Sequence, residues 1–287
     1  MNVLLASVKK VIVKKARSIY RALDKVLPKT KHPIAITFTG GMGAQIISAA
    51  IYFHLRDKGS TVYADLNYFN REPYRAKEGV KGDISHWDWQ LQNFGLSPHS
   101  FQSIPEELQG KCKLIVDGPK KLIMGIEALK REIISEKFID EGIESCLREY
   151  LPFEFLPRYL CIHIRRGDYL NVASHLVDDK DFLDLAKKLS GHFEFVSVVS
   201  DSSISEMIKR EIQKIYKKAI FLDDVDAVTS HRVMRGASGL LCSNSQFSIV
   251  VAILNKKALV FIPAKWYSED EIELEKSISE ICKFKVL

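Results

Sequence analysis

The sequence predicts an α/β protein in which two doubly wound parallel sheets face each other across a cleft. Three observations support this. Apolar runs of strand length alternate with segments of helical periodicity, which is typical of βαβ units. Pro152 and Pro157 interrupt the alternation near mid-chain, and the 287 residues are enough for two modest domains. Glycine-rich or polar turns follow several predicted strands, where sheets of this kind bind ligands.

Composition excludes several classes of protein. An apolar content of 46% with only 15 Gly and 9 Pro is incompatible with a disordered or collagen-like chain. No window approaches the roughly 18 consecutive apolar residues that a membrane span needs. The five cysteines are scattered and contain no CxxC pair, so we expect reduced thiols in a cytosolic compartment and neither a zinc site nor a disulfide framework.

The net charge of +6 is concentrated at the N-terminus. Residues 1–33 contain nine basic side chains and one acidic side chain, and their apolar residues recur at three- and four-residue steps. This pattern predicts a basic amphipathic helix. The helix could pack on the body with its basic face in water, or bind an anionic membrane surface. We expect no nucleic-acid partner because no aromatic platform accompanies the charge, and no secretory signal because no A-x-A site follows.

The elements of the N-terminal half begin after Pro33. The predicted strands cover residues 34–39, 61–65 and 113–117, and the predicted helices cover residues 44–55 and a long stretch that ends at residue 151. The segment between the second and third strands is irregular and rich in aromatic residues.

A glycine turn separates the first predicted strand from its helix. Gly41 and Gly43 would let backbone N–H groups approach a phosphate at the positive end of the helix, with Gln45 beside them. Asp65 ends the next strand, where a dinucleotide site would bind a ribose. However, Ile46 occupies the third glycine position of a dinucleotide motif, and the turn could equally serve close packing.

The C-terminal half alternates more regularly. Its predicted strands cover residues 159–164, 193–199, 219–222, 239–242 and 258–262, and its predicted helices cover residues 181–189, 203–216, 225–236 and 246–254. This order predicts a parallel sheet that is covered by helices on both faces.

The stretch after the first of these strands carries the most chemical information. His163, Arg165, Arg166 and Asp168 cluster within six residues at the end of an apolar strand. Arg165 can offer a rigid fork of donors to a pyrophosphate, and Asp168 can orient an arginine. The alternative is a surface turn with a fortuitous ion pair.

Polar turns also follow two other strands. Asp201 comes after the second strand, in a serine-rich turn that would also cap a helix from Ser203. The third polar turn opens the helix at residue 246, where short polar side chains and free helix N–H groups form an anion or ribose site. Its predicted ligand contacts are Ser243, Asn244, Ser245, Phe247 and Ser248. Capping alone is the alternative in both turns.

Taken in order, these motifs resemble the α-1,2-fucosyltransferase family, which shares motifs with the α-1,6- and protein O-fucosyltransferases. The matching segments are Gly40-Gly41-Met42-Gly43-Ala44-Gln45, Asp65-Leu66-Asn67-Tyr68-Phe69, His163-Ile164-Arg165-Arg166-Gly167-Asp168-Tyr169, Ser200-Asp201, Ser243-Asn244-Ser245-Gln246-Phe247-Ser248 and Pro263-Ala264-Lys265-Trp266-Tyr267. The resemblance extends over about residues 34–267. Ala44 and the pair Ile249-Val250 depart from the family pattern, where asparagine and two tryptophans are expected.

The resemblance implies a GT-B fold, with residues 34–152 as the acceptor domain and residues 153–287 as the donor domain. It implies a GDP-fucose donor, no metal and no further cofactor, and inversion at the sugar carbon. Arg165 would stabilise the departing diphosphate, and His175 is a candidate base. The predicted substrate contacts are Gly41, Gly43, Gln45, His163, Arg165, Arg166, Asp201, Ser243, Asn244, Ser245, Phe247 and Ser248.

The expected reaction is fucosyl transfer to a galactose 2-hydroxyl of a lipid-linked or lipopolysaccharide oligosaccharide. We expect it at the cytoplasmic face of the plasma membrane, with residues 1–33 on the anionic surface. Three alternatives remain open at this point. The protein could use another GDP-sugar, it could be a nicotinamide-dependent oxidoreductase that uses the glycine loop and Asp65, or it could bind a sugar nucleotide without catalysis.

Overall fold

The structure is a computed structural model that describes residues 33–70, 88–155, 158–167, 176–223, 225–262 and 285–286. The helix predicted for the N-terminal arm therefore lies outside the described residues, as do Asp168 and His175. The strands are β1 Ile34–Thr37, β2 Val62–Asp65, β3 Lys113–Ile115, β4 Leu160–Ile164, β5 Phe195–Ser200, β6 Lys218–Asp223, β7 Gly239–Leu241, β8 Leu259–Ile262 and β9 Lys285–Val286. The helices are α1 Met42–Asp57, α2 Asn67–Asn70, α3 Pro119–Leu129, α4 Glu132–Ser135, α5 Ile143–Tyr150, α6 Asp179–Leu189, α7 Glu206–Ile215, α8 Ala227–Gly236 and α9 Gln246–Leu254.

The N-terminal sheet is parallel, with the strand order β2-β1-β3. Its central strand is almost entirely buried, and Ile36 pairs with Ala64 on one side and with Ile115 on the other. Helix α1 follows β1 and is buried on most of its surface, because its first eleven residues are small or apolar apart from Gln45 and Ser48. A helix that is apolar all round is a core helix.

The C-terminal sheet is parallel and has the strand order β6-β5-β4-β7-β8-β9. Counted from β4, this is the order 3-2-1-4-5-6 of doubly wound nucleotide-binding folds. The strand order reverses between β4 and β7, which is the point where such sheets bind ligands. Two parallel α/β sheets confirm the predicted fold class.

Helices cover both faces of the C-terminal sheet. On one face, α6 and α7 bury a single apolar stripe each, which includes Phe182 and Leu185 on α6 and Ile208 and Ile212 on α7. These side chains pack with the β4 residues Leu160, Ile162 and Ile164 in one hydrophobic cluster. The other face of β4, with Cys161, belongs to a second and larger cluster.

This larger cluster continues from one sheet to the other. It includes Ile36 and Ile47 of the N-terminal half together with Ile249 and Val250 of α9. Helix α9 contacts both α1 and α3, and helix α5 packs against α8. The two halves therefore share one hydrophobic core, and their contact is formed mainly by helices that begin beside the strand ends.

Two predicted elements differ from the structure by more than two residues at an end. The long helix predicted up to residue 151 is divided into α3, α4 and α5, with a turn of 3₁₀-helix at Glu136–Phe138. Helix α7 begins at Glu206, not at Ser203, because the side chain of Ser205 accepts a hydrogen bond from the backbone N–H of Ile208 and caps the helix there. None of the described helices is both long enough and apolar enough to cross a bilayer.

Candidate active site

The carboxyl ends of β4 and β7 lie side by side, because Ile162 pairs with Leu241 in the parallel ladder. The segments that leave these strands contain the charged residues after Ile164 and the serine-rich loop after Leu241. The neighbouring strand β5 ends at Ser200 and contributes Asp201 to the same edge. The order of the strands thus brings together three of the predicted motifs.

Arg165 forms an ion pair with Asp201 at this edge. The distance from Arg165 Nη1 to Asp201 Oδ2 is 2.8 Å, and each side chain is 14% exposed. The other carboxylate oxygen of Asp201 accepts a hydrogen bond from the backbone N–H of Arg166 at 2.8 Å. Asp201 therefore orients Arg165, which is the role that the sequence suggests for Asp168.

Gly167 lies next to this ion pair. Its φ is +23°, and a Cβ at this position would clash with Asp201 Oδ2, so the turn leaves no room for a side chain. Arg166 points elsewhere: its guanidinium pairs with Asp179 and lies 5.8 Å from the centre of the Phe182 ring. Arg166 thus fixes α6 to the strand end, and a contact between its side chain and a ligand stays a prediction.

His163 connects β4 to the loop after β7. Its Nδ1 lies 2.6 Å from Ser248 Oγ and 3.0 Å from Ser243 Oγ, and its ring lies 5.3 Å from that of Phe247. Burial, and secondly the positive charge of Arg165, lower the pKa of His163 to about 3. The imidazole is therefore neutral at physiological pH and holds the serine loop in place, so it adds no positive charge to the site.

The serine loop also caps α9. Ser245 is the N-cap residue, and its hydroxyl accepts a hydrogen bond from the backbone N–H of Ser248 at 3.1 Å. Ser243, Asn244, Ser245 and Ser248 are all buried. Capping and ligand binding are compatible here, since one side-chain cap leaves other N–H groups of the first helical turn for an anion.

The glycine turn meets this loop from the opposite half of the molecule. A Cβ on Gly43 would lie 2.5 Å from the backbone nitrogen of Phe247 and 2.7 Å from its Cα. Gly43 therefore allows α1 and α9 to touch backbone to backbone, which favours the close-packing interpretation for this residue. Gly41 is the N-cap residue of α1, and Gly40 has a φ of +67°.

The side chain of Gln45 forms hydrogen bonds within the protein. Its Nε2 donates to the carbonyl oxygens of Gly40 and Asp88 at 2.9 and 2.8 Å, and its Oε1 accepts from the backbone N–H of Gln90. The side chain is fully buried and its hydrogen bonds are made within the protein, so a contact between Gln45 and the donor stays a prediction. The backbone N–H of Met42 is likewise occupied by Gln90 Oε1 at 2.7 Å. These contacts also weigh against a dinucleotide in the glycine turn.

Three residues at the end of the N-terminal sheet form a cluster that the sequence pattern does not reveal. Thr39 and Asp117 follow β1 and β3, and Lys121 lies in the first turns of α3. The Lys121 side chain is only 3% exposed, and its ammonium lies 2.7 Å from the Asp117 carboxylate. The rule that sites form after strands could have found Thr39 and Asp117, whereas nothing in the sequence indicates that Lys121 is buried.

Asp65 lies at the same edge, at the end of β2. Its carboxylate accepts a hydrogen bond from the backbone N–H of Asn67 at 3.1 Å, which stabilises the turn into α2. Its interpretation as a ribose ligand of a dinucleotide gains no support from this contact.

Two parallel α/β sheets, with an oriented arginine and a capped helix terminus at the switch point of one of them, define a protein of the doubly wound α/β class. The model of glycosyl transferase family 11 matches residues 126–282, which is more than half of the chain. The chain therefore belongs to glycosyl transferase family 11, the α-1,2-fucosyltransferase family, and the predicted membership is confirmed. No curated protein matches the sequence.

Similar solved structures include a complex of POFUT1 with GDP and the E. coli ADP-heptose lipopolysaccharide heptosyltransferase II. The POFUT1 structure is 12% identical, has a TM-score of 0.42, and aligns over 79% of this chain and 96% of its own. The heptosyltransferase is 12% identical, has a TM-score of 0.47, and aligns over 89% of this chain and 90% of its own. A complex of POFUT1 with GDP-fucose is 15% identical, has a TM-score of 0.38, and aligns over 82% of this chain and 74% of its own.

Proposed function

We propose that this glycosyltransferase moves L-fucose from GDP-fucose, with inversion, to the 2-hydroxyl of a galactose in a surface oligosaccharide. The observation that carries the proposal is the position of Arg165, which Asp201 holds at the switch point of the C-terminal sheet. Membership in the α-1,2-fucosyltransferase family supports the choice of sugar and linkage.

The chemistry of the site fits a nucleoside diphosphate leaving group. When the bond between the sugar carbon and the diphosphate breaks, negative charge grows on the leaving oxygen. A guanidinium that is already oriented, together with N–H groups at the start of α9, can stabilise this charge without reorganisation. Asp201 orients Arg165 through Nη1, and the N–H donors of a guanidinium form a fork that matches phosphate oxygens.

Two departures from the family pattern concern packing more than the donor. Ile249 and Val250 are fully buried in the shared core, so aromatic residues at these positions would change the contact between the halves. Ala44 lies on α1 beside the glycine turn, where the Cβ positions of residues 40 and 44 would be 3.4 Å apart. Neither position argues for a different nucleotide.

Calorimetric titration with GDP, GDP-fucose, GDP-mannose, ADP and NADH tests the proposal. We expect GDP and GDP-fucose to bind, ADP to bind at least about tenfold more weakly, and NADH not to bind. Arg165→Ala should lower transfer by about 10²- to 10³-fold, as the loss of a preorganised charge contact does. Arg148→Ala is the matched control, because Arg148 is a 63% exposed arginine on α5 that pairs only with Glu144 among the residues the structure describes. An absence of GDP binding would refute the proposal.

We also propose that residues 1–33 bind the anionic inner face of the plasma membrane, where a lipid-linked or lipopolysaccharide acceptor would be available. The basis is the concentration of basic residues in this segment. Full-length protein should co-sediment with vesicles that contain phosphatidylglycerol and not with pure phosphatidylcholine, and salt should weaken this binding. Equal binding to both kinds of vesicle would contradict it.

A further inference from the structure

We propose that Asp117 is the general base that takes the proton of the acceptor hydroxyl, an assignment that rests on the transfer reaction proposed above. An inverting transfer needs such a group, because a sugar hydroxyl is a weak nucleophile until its proton is removed. The resemblance offers His175 as the base, and that residue lies outside the described residues.

Both oxygens of the Asp117 carboxylate are held by the protein. The hydroxyl of Thr39 donates to Oδ2, and the ammonium of Lys121 lies 2.7 Å from Oδ1. Lys121 also donates to the carbonyl oxygen of Thr37 at 2.5 Å, which ties the pair to the last residue of β1. The Asp117 side chain is nevertheless 50% exposed. A fixed carboxylate with an open side can still accept a hydrogen bond on its remaining lone pairs.

The carboxylate belongs to the edge of the N-terminal half that meets the donor half. Thr39 immediately precedes the glycine turn, and Gly43 touches the backbone of Phe247 in the serine loop. Four residues span at most about 14 Å of extended chain, so Thr39 lies within that distance of Gly43, and Asp117 accepts a hydrogen bond from Thr39. An acceptor bound at the ends of β1 and β3 would thus stand across from the donor.

The burial of Lys121 distinguishes this pair from an ordinary ion pair on a helix. Arg148 and Glu144 form such a pair on α5, and their side chains are 63% and 78% exposed. Lys121 is 3% exposed, and burial lowers its pKa whereas the nearby Asp117 raises it. A buried lysine adds little stability compared with an apolar side chain of similar size. We infer that its role is to hold the carboxylate in one orientation.

Two other described carboxylates at the strand edges are less suitable. Asp201 is committed to Arg165 on the donor side. Asp65 ends one outer strand of the three-stranded sheet and Asp117 follows the other, but the hydrogen bond from the backbone N–H of Asn67 holds the Asp65 carboxylate at one oxygen. The protein holds both oxygens of the Asp117 carboxylate, and half of the Asp117 side chain is exposed.

The proposed step forms one bond at the anomeric carbon, breaks another and moves one proton. The acceptor oxygen forms a bond to the anomeric carbon while the bond from that carbon to the diphosphate oxygen breaks. The electron pair of the broken bond stays with GDP, beside Arg165. The proton of the acceptor hydroxyl moves to Asp117 and is later released to water. Lys121 and Thr39 take no proton and act as positioning residues.

The first test compares Asp117→Asn with the wild type. We expect kcat for transfer to a galactoside to fall by about 10²- to 10⁴-fold, the usual contribution of a general base, with the dissociation constant of GDP changed less than about twofold. Glu127→Gln is the matched control, because Glu127 is a partly exposed carboxylate of α3 that pairs with Lys130, the residue after that helix. His175→Ala tests the competing base. Transfer by Asp117→Asn within about threefold of the wild type would overturn the assignment, as would loss of transfer in His175→Ala alone.

The second test replaces the acceptor by azide, which carries no proton and needs no base. Asp117→Ala should form the glycosyl azide from the donor at near wild-type rate, although it no longer transfers to a galactoside. Loss of both reactions with GDP binding intact would show that Asp117 is not a base. If Asp117→Ala does not fold because Lys121 is left unpaired, the double variant Asp117→Asn with Lys121→Met removes both charges and should behave in the same way.

Two positioning variants complete the series. Thr39→Val should lower kcat about tenfold with little change in KM, and Thr39→Ser should restore it. A wild type that transfers no sugar from any GDP-sugar would refute the proposed function itself, and this assignment with it. An active wild type whose Asp117 variants retain full activity would refute the assignment alone.

Discussion

Replacing Gly43 by alanine tests the contact on which the geometry of the cleft depends. The added Cβ would lie 2.5 Å from the nitrogen and 2.7 Å from the Cα of Phe247, and 2.8 Å from the carbonyl carbon of Gln246. Comfortable contacts between heavy atoms begin near about 3.5 Å, so α1 and α9 would have to separate by about 1 Å. All three neighbours are backbone atoms, and no flexible side chain can move aside to relieve the contact.

The expected cost follows from two opposing effects. Overpacking of this kind destabilises by about 1–3 kcal/mol, and the rigid backbone neighbours place Gly43→Ala near the upper end. Alanine in a helix gains about 1 kcal/mol over glycine. We therefore expect a net loss of about 2 kcal/mol in the free energy of unfolding, together with weaker binding of GDP because the serine loop shifts.

Chemical denaturation followed by tryptophan fluorescence, with GDP titration on the same samples, measures both effects. Gly191→Ala is the control, since a Cβ at Gly191 meets no atom within 4 Å and its backbone is not left-handed. We expect this control to stay within about 0.5 kcal/mol of the wild type. Wild-type stability together with wild-type GDP affinity in Gly43→Ala would show that the two helices do not make the contact described.

Three further predictions concern stability. Asp140→Asn should destabilise the fold by about 2–3 kcal/mol in urea titration, because it leaves the partly buried Arg232 without the carboxylate that it contacts at 2.9 Å; a loss below about 0.5 kcal/mol would contradict this. The wild type should lose stability as the pH falls from about 6.5 to about 3, and this loss should be smaller in His231→Leu. Burial, and secondly Arg235, lower the pKa of His231 to about 3, so in that range only the unfolded chain takes up the proton, and an unchanged pH profile would refute the reasoning. Ser205→Ala should lower the thermal midpoint through the loss of about 1 kcal/mol of capping energy, and Ser203→Ala, which lies outside α7, should not.

The sequence predicts the fold well where local pattern and burial agree. It predicts β4 at residues 159–164, and the strand occupies residues 160–164, because every one of its side chains is buried. The strand ends place His163, Arg165 and Asp201 at one edge, since parallel strands bring their carboxyl ends together. For this reason the neighbourhood of the candidate site follows from the order of its elements.

The partners of these residues could not be predicted in the same way. Whether Arg165 pairs with Asp168 or with Asp201 depends on the path of a turn, and the two aspartates are equivalent in the sequence pattern. Gln45 and Lys121 contact backbone atoms of segments remote in sequence, at Asp88 and Thr37. Hydrophobic periodicity reports which face of a helix is buried, but not which backbone carbonyl a polar side chain on that face will reach.

The core that runs from one sheet to the other has a consequence for how the enzyme can be divided. Ile249 and Val250 are fully buried, and they belong to the same cluster as Ile36 and Ile47. If the chain were divided near residue 152 and the two parts were separated, these side chains would be exposed to water. The cost in free energy would be about 25 cal/mol for each Å² of apolar surface. We therefore expect that neither fragment folds alone. Exchanging one half for that of another family member would require redesign of α9 and of the surface on α1 and α3 that it contacts.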